Sequence, residues 1–327
     1  MLAATTTHDD QPWSRSYHVS AFPPGVTEKE NPYFTSLHRA LAGRGISATD
    51  DLQIDRGWLA THAGRVDAIH LHWPENFWRL DESYGRGRGW RAIQVARRLR
   101  QLHQFLRSAG RRGVLRIWTV HNVEPHEGAS RWDGYGYRLV ARESDLVVCH
   151  SQSAVEAVRR QYPLRGRIIV MPHGELGSAY PAARPRDQVL GDLGLDPRLP
   201  TVACLGRLRQ YKGLDLACDA IERLSGRVQL IIGGARHAGF DVTPILQAVR
   251  RTSAIAFIQR KLSDHEFADL AAASDAQLLP YQKITGSGAL LSALGFGRGV
   301  IVSDLPYFRE ILAEEPDAWR VVPSRDA

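Results

Sequence analysis

The sequence predicts an α/β protein of two Rossmann-like, doubly wound parallel-sheet domains facing each other across a cleft. Three observations carry this. Short runs rich in Val, Ile and Leu recur from end to end, as in strands buried on both faces. Amphipathic segments lie between them, and regular strand–helix alternation builds parallel sheets. A chain of 327 residues is also long enough for two domains.

The predicted strands are 17–22, 66–72, 115–120, 146–149 and 168–171, then 201–205, 228–232, 254–258, 276–279 and 300–302. The predicted helices are 32–44, 90–108, 153–162, 214–224, 243–252, 264–273 and 287–295. Asn31 and Pro32 form a start signal for the first helix: a capping side chain, then a proline whose amide would be unpaired anyway. The polar stretch 1–16 reads as a loose tail and lacks the basic-then-apolar order of a signal peptide. A Pro/Ala/Arg-rich stretch at 178–186 reads as a linker between domains 17–177 and 187–327.

Composition narrows the function classes. Hydrophobic residues are 43% and charged residues 24% of the chain, ordinary for a protein with a packed core. No apolar run reaches the ~18 residues that span a bilayer. Cys149, Cys204 and Cys218 form no CxxC pair, so they read as reduced, buried thiols of a cytoplasmic protein. The net charge of +7 is uneven: eleven arginines lie between Arg79 and Arg116 against Asp81 and Glu82. Such a run is either a solvated helix face or a patch for an anionic membrane surface or phosphates. No nucleic-acid-binding motif accompanies it, so nucleic acid is not an expected partner.

Ligands of parallel sheets bind beyond the carboxyl ends of strands, so the residues after each strand matter most. Gly206-Arg-Leu-Arg-Gln-Tyr-Lys-Gly213 presents Arg207, Arg209 and Lys212 there. A guanidinium fork and an ammonium together can neutralise a diphosphate. Tyr281 to Leu290 places Gly286, Ser287 and Gly288 at a helix start, where free amides and the helix dipole favour an anion. His121 ends a strand and can hydrogen-bond a hydroxyl or move a proton, or serve only as a structural hydrogen bond. Glu124, Glu127 and Asp133 are the nearby carboxylates for a base. His70 and His72 alternate on one strand face; an HxH pair can begin a metal site, but no further metal motif supports one. Trp73, Phe77 and Trp78 would stack on a sugar or pack a wall. The long loop 22–33 contains Gly25, which permits close approach to a ligand. Gly85-Arg-Gly-Arg-Gly89 does not follow a strand, so it is no dinucleotide fingerprint, and no GxSxG elbow occurs.

In order, these segments resemble the family-4-type glycosyltransferases of the GT-B fold. GRLRQYKG resembles the G-R-x-x-x-x-K-G element. PHG at 172–174 resembles P-N-G at the linker. SGALLSALGFGRGVIVSDLPYFREI resembles the helix and small-residue turn before P-V-V. NPY, HLHWPE and TVHN resemble a subset that builds bacterial polysaccharides. The resemblance covers about residues 17–313. It implies that Arg207 and Lys212 hold the donor diphosphate, with Gly286, Ser287 and Gly288 supplying amides. It also implies that His121 touches the donor sugar and that Lys261 faces the nucleobase. Gly25, Asn31, His72, Trp73 and Glu75 would lie on the acceptor or sugar side.

Two departures stand out. The family's paired glutamates fall at Ile284 and Ser292, and the chain stops at Ala327, where a closing helix would return. The implied activity is transfer of a hexose from a UDP- or GDP-sugar to an acceptor hydroxyl, on a saccharide or lipid-linked saccharide. It needs no metal or other cofactor and retains configuration; inversion would require a base such as Glu127 or Asp133. The expected setting is the cytoplasm, with peripheral contact at the inner membrane face through Arg79–Arg116. The departures keep two alternatives open: a non-catalytic scaffold of the same fold, or a sugar-nucleotide epimerase.

Overall fold

A computed structural model of the chain describes residues 16–24, 32–80, 87–124, 130–174, 176, 180–224, 226–313 and 319–322. The chain divides into two compact units. The first comprises 1–120, 130–148 and 162–169; the second comprises 121–129, 149–161 and 170–327. The predicted tail, Gly25, Asn31, Glu127 and part of the predicted linker lie outside the described residues.

The first sheet takes β1 (Tyr17–Phe22), β2 (Ile46–Thr49), β3 (Ala68–Leu71), β4 (Leu115–Thr119), β5 (Leu146–Cys149) and β6 (Arg167–Val170). Their order is β2-β1-β3-β4-β5-β6. The helices between them are α1 (Pro32–Ala42), α2 (Arg56–His62), α3 (Glu75–Trp78), α4 (Arg88–Arg111), α5 (Arg131–Glu143) and α6 (Gln152–Gln161). The second sheet follows α7 (Arg186–Asp192). It takes β7 (Thr201–Leu205), β8 (Gln229–Gly233), β9 (Ile255–Ile258), β10 (Ala276–Leu279), β11 (Gly299–Ser303) and β12 (Trp319–Val322), ordered β12-β11-β10-β7-β8-β9. Its helices are α8 (Leu214–Arg223), α9 (Thr243–Arg251), α10 (Asp264–Ala273), α11 (Gly288–Gly295) and α12 (Pro306–Ile311).

The two orders differ in a way that locates the sites. The second sheet follows the dinucleotide-binding order, which reverses between β7 and β10. The first follows the flavodoxin-like order, which reverses between β1 and β3. At each reversal the connections leave to opposite faces and open a crevice at the carboxyl ends. β7 and β8 are buried along their whole length, as expected of central strands. Cys149, Cys204 and Cys218 are free and buried, and burial pushes each thiol up to about 12.

Several elements escape the sequence pattern. β2 and β12 are edge strands with no long apolar run. α5 carries Gly134 and Gly136, poor helix formers. The Ser130–Asp133 capping box starts it. Packing explains its glycine: a Cβ on Gly136 would meet the Trp78 ring at 2.6 Å. Trp78 is 1% exposed and packs edge-on against Tyr137 at 5.5 Å. Gly136→Ala therefore improves helix propensity yet overpacks the core. It is expected to lower unfolding free energy by about 2 kcal/mol in urea titration; an unchanged midpoint would refute this packing account.

Candidate active site

At the β7–β10 reversal the backbone is unusually close. A Cβ on Gly213, which has φ 63°, would lie 2.2 Å from the Pro280 carbonyl oxygen. Gln282 N–H donates to the Tyr211 carbonyl at 2.8 Å. These contacts bind the loop after β7 to the loop after β10. Between them Lys212 is buried, and its Nζ donates to the Leu205 carbonyl at the end of β7 at 3.1 Å. The Tyr281 ring lies 5.7 Å from the ammonium. Burial lowers Lys212 to about 8. No carboxylate is paired with it among the described residues, so an ammonium is held at a strand end where an anion would relieve its desolvation.

Ser287 caps α11, its Oγ accepting from Leu290 N–H at 3.1 Å. Gly286 is half-buried and Gly288 exposed; no Cβ clash is present at Gly286. Arg207 is exposed on the loop directly after β7. Tyr281, whose ring faces the Lys212 ammonium, also hydrogen-bonds Ser287, so Lys212 and the α11 start flank the same tyrosine at the strand end. Lys261 is exposed in the loop after β9, at the sheet edge rather than at the reversal.

A cavity of about 480 Å³ opens beside the loop after β10. Ile284, Lys283, Arg160 and Glu124 line it. Val123 N–H donates to Thr285 Oγ1 at 3.4 Å, and Gln161 Nε2 donates to Glu124. Ile284, one of the two positions where the resemblance expects glutamate, therefore fronts a cavity. The other, Ser292, is buried beside Tyr180, whose ring stacks on Phe267 at 4.7 Å.

His121 is half-buried, its ring 5.6 Å from His150, which lies 5.0 Å from His173. The three follow β4, β5 and β6. His150 Nδ1 contacts the Met171 carbonyl at 2.9 Å and His173 Nδ1 the Gly174 carbonyl at 2.7 Å. Carbonyls only accept, so both Nδ1 atoms carry the proton. Sequence reasoning missed His150 and the role of His173; His150 directly follows a predicted strand, and that was its available signal.

In the first unit, two expectations are corrected. His72 is 1% exposed, packed 4.7 Å from the Phe34 ring and 4.0 Å from His70. It supports a wall instead of presenting itself to a ligand; half-buried Trp73 lies 5.8 Å from Phe34. His70 Nε2 hydrogen-bonds Thr119 Oγ1 at 2.7 Å. Among the described residues no three His, Cys, Asp or Glu side chains gather as metal ligands.

Asp133 is the second correction. Its carboxylate accepts from Trp78 Nε1 at 2.9 Å, from Arg79 Nε and Nη2 at 3.0 Å each, and from Ser130 N–H at 2.9 Å. Burial raises its pKa, but the Arg79, Trp78 and Ser130 hydrogen bonds outweigh this and hold it below the usual carboxylate range. A carboxylate so fully occupied is a poor base. Glu75 contrasts with it: burial pushes its carboxyl up against the opposing hydrogen bonds and Arg79, which favours proton exchange nearer neutrality.

Comparison with known proteins accords with the two-sheet architecture. Residues 199–327 match the family Glycosyl transferases group 1. The chain is 26% identical over 223 residues to alpha-maltose-1-phosphate synthase of Mycolicibacterium smegmatis, covering 62% of this chain and 57% of the relative. It is 25% identical over 278 residues to GDP-mannose:glycolipid 4-beta-D-mannosyltransferase of Xanthomonas campestris pv. campestris, covering 83% and 69%. Among solved structures, sucrose-phosphate synthase of Thermosynechococcus elongatus has the same fold, with a TM-score of 0.68 at 16% identity over 95% of this chain and 87% of that one. Anabaena HepE in complex with UDP-glucose gives 0.64 at 16% identity over 95% and 86%. The two-sheet fold is thus the GT-B fold that the resemblance implied.

Two measurements check the site's architecture. Asp133→Ala removes the α5 cap and the carboxylate that accepts from the buried Trp78 Nε1, so it is expected to cost about 3 kcal/mol of stability in denaturant titration; a stable but inactive variant would restore Asp133 as a base. Burial lowers His173 to about 4, against the Gly174 hydrogen bond. The folded protein then binds this proton less readily than the unfolded chain. Its contribution is complete above the unfolded pKa of about 6.5 and is lost as pH falls toward 4. Denaturant titrations across that window should show the decline, and His173→Gln should flatten it.

Proposed function

We propose that the chain transfers a hexose from a UDP- or GDP-sugar to the hydroxyl of a saccharide or lipid-linked saccharide, with retention of configuration. The supporting observation is the buried Lys212 ammonium at the β7 strand end beside the α11 start. In this reading Lys212 and Arg207 hold the donor diphosphate, and the amides at Gly286–Gly288 share its charge. The bond from the anomeric carbon to the diphosphate oxygen breaks while the acceptor oxygen bonds to that carbon. Negative charge grows on the diphosphate, where fixed cations stabilise the transition state most. The acceptor proton passes to the leaving diphosphate oxygen, so no separate base is required.

With two cationic side chains and a helix start on the diphosphate, a divalent cation is not needed. Rates in excess EDTA should equal those without it. His121 lies on the sugar side of this reading, and Lys261 would reach the nucleobase. Trp73 and Glu75 belong to the acceptor side. The buried free thiols fit a reducing compartment, and we place the reaction in the cytoplasm, at the inner membrane face for a lipid-linked acceptor. Ile284 and Ser292 favour a second reading, a nucleotide-binding scaffold without transfer.

Nucleotide binding tests the first reading directly. UDP and GDP affinity should be flat below about pH 8 and weaken above it, as the Lys212 ammonium loses its proton. Lys212→Met should bind at least about tenfold more weakly, as expected for a charge-assisted contact, and lose the alkaline dependence. Calorimetry reads both. Product NMR then reads the anomer. Nucleotide affinity without transfer or donor hydrolysis would support the scaffold instead.

A further inference from the structure

The first unit carries a second charged feature far from strand carboxyl ends. A basin of about 560 Å³ lies at the amino ends of β4, β5 and β6. Its rim bears Arg107 and Arg111 of α4, Arg142 of α5, Arg165, and Arg167 at the start of β6. Arg116 of β4 forms part of its floor. Only two of these, Arg107 and Arg111, share the exposed side of the arginine run seen in the sequence; the fold adds the other three rim arginines from distant positions.

Three other arginines of that run are engaged within the unit. Arg79 pairs with Asp133, Arg91 donates to the Leu80 carbonyl, and Arg98 to the Phe77 carbonyl. Arg116 is spent as well. Its Nε and Nη2 donate to Asp145 at 2.8 and 2.6 Å, and Glu143 lies 3.5 Å from Nη1. It therefore uses both carboxylates of the basin. The five rim arginines are all exposed, and none has a carboxylate partner among the described residues. Six arginines against Glu143 and Asp145 leave the lining at +4.

Two glycines shape the floor. A Cβ on Gly110 would lie 2.7 Å from Arg116 Cζ, so glycine makes room for the guanidinium beside α4. A Cβ on Gly166 would lie 2.2 Å from the Asp145 carbonyl oxygen. Glycine there lets the segment bearing Arg165 and Arg167 cross tightly against the start of β5. The result is a concave surface with converging guanidiniums, and concavity focuses the field of like charges.

We propose that this basin is a binding site for a phosphate-rich anion, distinct from the donor crevice and independent of the glycosyltransferase reading. Guanidinium forks match phosphate oxygens in pairs, and the volume admits more than one phosphoryl group. Every residue of the basin belongs to the first unit, whereas the donor crevice is built from β7, β10 and α11 of the second, so the two share no residue. Two sources supply this chemistry, a soluble polyphosphate or the headgroups of an anionic bilayer.

The test uses the full chain with two double variants, Arg165→Gln/Arg167→Gln and Arg107→Gln/Arg111→Gln. Calorimetric titration with inorganic tripolyphosphate at fixed ionic strength is one arm. Sedimentation with phosphatidylglycerol–phosphatidylcholine vesicles, against phosphatidylcholine alone, is the other. Wild type should bind at least one probe, more weakly as salt rises, and each double variant should lose at least tenfold. Tripolyphosphate binding assigns a soluble ligand; vesicle binding assigns headgroups. UDP affinity should stay at the wild-type value in both variants, which shows that they are folded and that the donor crevice is separate. Absence of binding to either probe, or variants that bind like wild type, overturns the proposal.

Discussion

The second unit depends on one contact that tolerates no side chain: Gly213 against the Pro280 carbonyl, 2.2 Å from where a Cβ would stand. A parallel contact sets Gly234 against the Gly206 carbonyl, at 2.1 Å. Through them the loops following β7, β8 and β10 converge at one point of the sheet. Lys212 precedes Gly213, so the left-handed turn that permits the close approach also directs the lysine inward. Its ammonium gains a carbonyl and a ring face but no carboxylate. Such a group costs the free protein stability, and only a bound anion returns that cost. The burial that lowers Lys212 to about 8 is thus a property of the glycine contacts.

The sequence was most legible where burial is two-sided. β1, β5, β7 and β10 begin and end where the pattern predicts, and β5 and β7 are the most continuously apolar of them. β2 and β12 were not legible, since one neighbour and partial exposure leave a mixed composition. α5 was hidden by Gly134 and Gly136, whose low propensity is overridden by the approach of Trp78. The placement of Arg207 after a strand, Lys212 in a turn and Ser287 at a helix start was readable because these are local features. Asp133 misled because three of its five donors come from Trp78 and Arg79, far away in the sequence; only the Ser130–Asp133 capping box was a local spacing. The His121–His150–His173 series is likewise non-local, spread over three strand ends.

The two sheets show how similar alternation yields different working ends. In each, the order reverses once, and the connections around the reversal carry the polar residues. In the second sheet that point holds Lys212 and Ser287. In the first it is flanked by β1 and β3, with Glu75 beginning α3 just beyond. Glu75 and Asp133 share Arg79 as a neighbour, yet their carboxyls move in opposite directions. Burial is the largest single influence on both; at Asp133 the fork, an indole and a cap together outweigh it, whereas at Glu75 the backbone, Tyr137 and Arg79 do not. Donor count separates a structural carboxylate from one able to exchange a proton.

The departures at Ile284 and Ser292 gain a physical meaning from their surroundings. Ser292 is not a glutamate shortened in place with a space left behind: it is 3% exposed, next to Tyr180, which is itself stacked on Phe267 and 5.6 Å from Phe296. The aromatic group occupies the neighbourhood, so a longer acidic chain would have to be buried among rings without a cation. Ile284 differs, since it fronts a cavity whose charged lining includes Lys283 and Arg160. An acid at 284 would pair with those cations; isoleucine leaves them available. The local positive charge of this cavity is therefore greater than an acid at 284 would leave. The same substitution that removes an expected carboxylate makes the cavity more suited to an anionic group.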